Sequence, residues 1–170
     1  MLYNYWTTFT ELICTPFQDI SLVWGIVPLY FALLLNELTS TKANFRTAIQ
    51  TGFSFLWAGA QWLYAYWAAH RTAAIQARTS LLPINLFVTL VVLVLGTLAL
   101  FSGIRHRFPK YGSFLGHTRF ANYFMITIFP IQAHRLVWTW ERLYTIGIFA
   151  LPVWLVLHFG LMPFRGRRSK

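Results

Sequence analysis

Acidic residues are scarce. The chain has 170 residues and only four Asp and Glu against fourteen Lys and Arg. With so few carboxylates there is no acidic cluster of the kind a magnesium-dependent lipid transferase needs. Cysteine is rarer still: Cys14 stands alone, so no internal disulfide and no thiolate metal site can form. Charged residues make up 11% of the chain, whereas a soluble domain carries about 25%. That shortage leaves no room for a separate soluble domain. Catalytic signatures are absent too: there is no His-Glu-x-x-His pair and no Gly-x-Ser-x-Gly elbow. No Asn-x-Ser/Thr acceptor occurs, and residues 1–19 hold no Lys or Arg. A secretory signal peptide begins with a basic region, so the first apolar block is expected to be retained.

What the chain does have is oil in long blocks. Hydrophobic residues reach 57% and aromatics 19%. Four apolar stretches, residues 20–38, 51–69, 81–104 and 143–162, are each close to the ~20 residues that cross a hydrocarbon core of ~30 Å as a helix. A fifth, 120–140, is ambiguous. Its apolar part is short, and Pro130, Gln132, His134 and Arg135 interrupt it. Residues 1–19 mix Tyr3, Tyr5, Trp6 and Phe9 with Thr and Glu11. Such amphipathic rings favour the headgroup zone, so this segment reads as a short interfacial helix that Pro16 interrupts. The expected fold is all-α: one domain, 1–170, forming a polytopic integral membrane bundle of four to five transmembrane helices, with an interfacial N-terminal segment and a basic tail at 163–170.

The formal charge of +10 would suggest nucleic acid in a soluble protein. Here the cations flank apolar spans, where they fix orientation and meet anionic headgroups, so no nucleic-acid partner is expected. Arg105, Arg107, Lys110 and Arg119 are the expected anionic-lipid contacts. The positive-inside rule prefers five crossings with the N-terminus outside, which puts the 165–170 cations in the cytoplasm. The cost of Arg135 near lipid prefers four, unless its guanidinium snorkels outward. A plasma (inner) membrane location is expected.

Within lipid, apolar burial does not draw helices together; small residues that permit close backbone contact do. Ser54, Ala58, Gln61, Ala65 and Ala68 recur at steps of three and four in the second span, flanked by Thr51 and Thr72. Asn85, Thr89, Val92, Gly96, Ala99 and Gly103 repeat the pattern in the third, and Ser21, Gly25, Pro28, Ala32 and Asn36 form a weaker version in the first. These stripes are expected to pack helices. Bulky aromatics should face lipid or fill gaps, with the cluster 62–67 forming an aromatic belt.

Four polar residues are candidates for a pathway or coupling role: Glu37, Gln61, His134 and Arg135. Each is costly to hold in a membrane unless partnered. His134 and Glu141 lie two turns apart on one helical face, so a hydrogen-bonded cluster at headgroup level is the plainer expectation. Haem would need two imidazoles at matching depth on facing helices. His70 lies at a membrane edge and His158 about a turn from the opposite end of its own span, so no cofactor is expected. The leading functional expectation is a non-catalytic membrane protein that assembles with copies of itself or with other membrane subunits. Alternatives are an oligomeric small transporter or channel, and a membrane redox or lipid-modifying enzyme subunit.

Overall fold

The computed structural model describes residues 2–39, 45–71, 82–105 and 119–164; at some helix ends, including Asn36, Glu37, Arg46 and Arg119, it describes the backbone alone. Every regular element among them is helical. We number the α-helices in chain order: α1 (Leu2–Cys14), α2 (Ile20–Thr39), α3 (Phe45–Arg71), α4 (Leu82–Arg105), α5 (Arg119–Gln132) and α6 (Trp140–Gly160). Short 3-10 turns follow α1 and α6.

α1 ends where Pro16, at the start of the 3-10 turn, cannot continue the α-helical bonding. The chain then bends by 115° into α2. Asp19 makes the corner. Its backbone is extended, its carbonyl accepts from Leu22 N at 2.9 Å, and its Oδ1 accepts from Ser21 N at 3.0 Å. A carboxylate at this position satisfies amides that have no partner within the helix.

From α2 to α6, helices that follow one another in the chain run antiparallel. A Cβ added at Gly52 would lie 2.6 Å from Leu100 N, one at Gly59 would lie 2.6 Å from Leu93 Cδ2, and one at Gly103 would lie 2.5 Å from Ile49 Cγ1. These contacts pair the start of α3 with the end of α4. Trp57 Nε1 donates to the Gly25 carbonyl at 3.2 Å, tying α3 to α2. Tyr123 OH donates to the Ile146 carbonyl at 2.9 Å, tying α5 to α6. α5 is the central element. Met125, Ile126 and Phe129 pack with Leu22, Ile26, Leu29 and Leu33 of α2, Phe55, Ala58 and Trp62 of α3, and Val92 of α4. A second cluster joins Leu12, Tyr123, Ile131 and Ile146. The bundle thus has one end where α2, α4 and α6 begin and α3 and α5 finish, here called the clasp end. The opposite, basic end carries Arg105 and the first residue of α5, Arg119.

α4 and α6 are long and apolar enough to cross a membrane by themselves, and α1 with α2 adds a third span if that bent pair is taken together. The expected four to five spans are therefore met only in part, for physical reasons. α3 is 27 residues long but spends positions on Gln50, Thr51, Ser54 and Gln61. α5 has 14 residues, about 21 Å at 1.5 Å per residue. The outward faces of α4 and α6 are apolar, with Phe87, Leu90, Val94 and Leu98 exposed on one and Ile148, Leu151, Val156 and Phe159 on the other.

Of the expected packing stripes, Ser54, Ala58, Gly96, Ala99 and Gly103 are buried, and Gln61, Ala65 and Ala68 are half-buried. Thr72 lies outside the described residues. Ser21, in the weaker stripe of the first span, is exposed. Trp62 is a correction: it is buried in the interior against Phe129, not part of an aromatic belt. Tyr64 and Trp67, next along α3, are exposed and in ring contact with each other at 6.4 Å.

Candidate functional site

The densest polar assembly among the described residues lies at the clasp end, around the connection between α5 and α6. α5 stops in a Schellman arrangement. His134 N donates to the Ile131 carbonyl at 3.1 Å and Arg135 N to the Pro130 carbonyl at 3.0 Å. The residue at the αL position of this motif is normally glycine; here it is His134, with φ at 59°. The turn sends residues 135–139 back over the end of the bundle. Thr139 then caps α6, its hydroxyl accepting from Arg142 N at 3.3 Å.

Two ion pairs clasp the N-terminal segment, one to this connection and one to the first turn of α6. The Arg135 guanidinium pairs with Asp19 Oδ2, on the carboxylate whose other oxygen caps α2. Arg142 pairs with Glu11 at 3.0 Å and also donates to the Val137 carbonyl at 2.6 Å. Thr8 donates to Glu141 Oε1 at 3.4 Å. On the other face of α1, Phe9 stacks on Phe149 at 4.4 Å and Trp6 touches the same ring. α1 thus lies across α6, with its polar face level with residues 141–142 and its apolar face level with 146–149.

Inside the clasp is a connected chain of polar and aromatic groups. Trp138 Nε1 donates to Asn85 Oδ1 at 2.6 Å. The Asn85 amide nitrogen lies 3.5 Å from His134 Nδ1, and the His134 ring contacts that of Tyr66. Thr89 donates to the Asn85 carbonyl at 2.8 Å and sits 3.4 Å from Gln132 Oε1. α3, α4, α5 and the connection each contribute a side chain.

The four expected pathway residues are not brought together. His134 and Arg135 are neighbours at the clasp. Gln61 is half-buried lower down, close to Gly25. Glu37 is on α2 about 18 Å of helix beyond Gly25, at 1.5 Å per residue, and its side chain lies outside the described residues. Of the expected lipid contacts, Arg105 is exposed, its guanidinium 4.8 Å from the Phe101 ring centroid. Arg107, Lys110 and the Arg119 side chain lie outside the description, as does the His70 side chain. His158 stacks on Trp154 at 5.3 Å. No group of three or more His, Cys, Asp or Glu among the described residues could hold a metal ion.

Sequence reading missed Asp19, Trp138 and the full role of Asn85. Asp19 had a signal, since an acid one residue before an apolar helix is a capping pattern. Trp138 had none, because its partner is 53 positions away. No family model, curated protein or solved structure matches this chain.

Proposed function

We propose that this chain is a non-catalytic integral membrane protein with five crossings, α2 to α6, that assembles with copies of itself or with other membrane subunits. α1 lies in the outer headgroup layer as a collar, and the basic end faces the cytoplasm. The observation that carries the reading is where the polar chemistry of the clasp end goes. Asp19–Arg135, Glu11–Arg142 and Asn85–Trp138 each join two different segments. Groups engaged in this way hold a fold; they do not present a free nucleophile or base to a substrate. Tyr64, Trp67, Trp140 and Tyr144, exposed at the clasp end, suit a membrane–water interface of either side, and the inside–outside sense rests on the surplus of Lys and Arg that the sequence puts towards the other end. Assembly rests on α6, of whose apolar length only 17% is buried.

Native mass spectrometry of the full chain, released from mild detergent, tests the assembly. Dimers or larger species, or a co-purified membrane subunit, are the expected result. A purely monomeric species without partners counts against it. The transporter or channel reading keeps one supporting observation, the unpartnered polar atoms buried inside the bundle.

A further inference from the structure

We infer that the bundle holds internal water at two levels, one at Asn122 and one between Trp62 and Gln132, separated by Phe129. The starting observation is a set of buried polar atoms without a hydrogen-bond partner: both amide atoms of Asn122, Thr51 Oγ1, Trp62 Nε1 and Gln132 Nε2. None of these four residues is more than 1% exposed. Lipid offers them nothing, since a hydrocarbon core neither donates nor accepts hydrogen bonds.

Helical register groups the atoms into two levels. Tyr66 meets His134 and Trp62 meets Phe129, so α3 and α5 run parallel. Two turns back from this contact are Phe55 on α3 and Asn122 on α5. Thr51 is one further turn along the same α3 face. Two turns along α2 from Gly25, which abuts Phe129, is the buried Ala32. Asn122 and Thr51 therefore share the interior between α2, α3 and α5. The other level has Thr89, whose hydroxyl is 3.4 Å from Gln132 Oε1, and Trp62, which meets Phe129 one turn before Gln132 on α5. Between the levels sits the Phe129 ring, held so tightly that a Cβ at Gly25 would lie 2.5 Å from its Cζ.

The donor set selects the guest. Asn122 presents an unpartnered acceptor and an unpartnered donor on one side chain. A cation would face the amide hydrogens, and an anion would face the amide oxygen. Water uses both. At the level nearer the clasp end the indole N–H and the Gln132 amide both need an acceptor, and a single water oxygen has two lone pairs. The inference is independent of oligomeric state.

The test is solid-state NMR of the full chain in lipid bilayers, with Asn, Gln and Trp side-chain nitrogens labelled. Magnetisation transferred from water is expected to reach Asn122 Nδ2, Gln132 Nε2 and Trp62 Nε1. The Asn122 signal is assigned by its loss in Asn122→Leu or, should that variant not fold, by selective labelling of the native chain. Thr51→Val, which keeps the side-chain shape, is expected to reduce transfer to Asn122 and leave Gln132 unchanged. Absence of water transfer to all three groups, with their protons protected from exchange into deuterated water, overturns the inference. So does transfer to Asn122 that Thr51→Val leaves unaltered.

Discussion

His134 occupies a backbone position that disfavours most side chains. A left-handed residue costs an L-amino acid roughly 1–2 kcal/mol, and β-branched residues tolerate it least. His134→Gly is therefore expected to relieve the backbone while losing the ring's contacts to Asn85 and Tyr66, and so to stay within about 1 kcal/mol of the natural chain. His134→Val is expected to fall below His134→Gly by about 1–2 kcal/mol. Thermal unfolding in detergent compares them, and equal stability of the two variants would show that the αL turn does not persist in solution. Asp19 combines a cap and a charge that substitution can separate. Asn retains an oxygen for the cap, whereas Ala removes it at a typical cost of ~1 kcal/mol. The ion pair adds little, because the Arg135 and Asp19 side chains are 50% and 32% exposed and such pairs contribute about 0–1 kcal/mol. Asp19→Ala is thus expected to lose roughly 1–2 kcal/mol in total and Asp19→Asn less than half of that. A salt titration checks the division: only the part due to charge should shrink at high ionic strength.

At the scale of elements, α3 and α4 approach through glycine. Gly52 and Gly59 are spaced by one heptad, as are Gly96 and Gly103. At Gly52 an added Cβ meets backbone, Leu100 N at 2.6 Å and Gly96 O at 2.8 Å. At Gly59 it meets only the side chain of Leu93, which can rotate away. Gly52→Ala is accordingly expected to cost about 1–3 kcal/mol, as overpacking does. Gly59→Ala should be nearly neutral, since alanine also gains up to ~1 kcal/mol of helix propensity over glycine. Reversal of this order in an unfolding assay would mean that the helices do not meet along this line. The stripe Asn85–Thr89–Val92–Gly96–Ala99–Gly103 was legible because its period is that of a helix face, and every member is buried. The α3 line through Gly52 and Gly59 was not. A second small-residue stripe, through Ser54, Ala58 and Gln61, runs along a different face, and spacing alone does not say which of two stripes meets which neighbour.

For the whole molecule, the proposed five crossings would put the clasp end and the 165–170 tail on opposite sides of the membrane, where two crossings, or three with the bent pair, are long and apolar enough by themselves. Cys14 is exposed, so the experiment starts from Cys14→Ser. A cysteine introduced at Thr139 is expected to react with an impermeant maleimide added to intact cells, and one at Ser169 only after the membrane is opened. Labelling of both from outside would reduce the crossings to four. The helical nature of the chain, its blocks of apolar residues and its surplus of cations could be read from composition and period. Hydrophobic blocks are local properties, and a backbone in lipid has few ways to satisfy its own polar groups.

The amino-acid sequence by itself determined that the chain is helical, that α4 and α6 suit a bilayer, and that charge keeps to the ends of the apolar blocks and the segments between them. Each of these follows from residues close together along the chain. Only the tertiary structure decided that α5, the shortest of the five bundle helices, is the central one; that Trp62 turns inward while Trp67 turns out; and that Asp19 reaches Arg135. Those outcomes depend on which surfaces meet after the chain has reversed several times. The same few side-chain types, amide, hydroxyl and indole, serve a lipid-facing rim and a buried junction equally well.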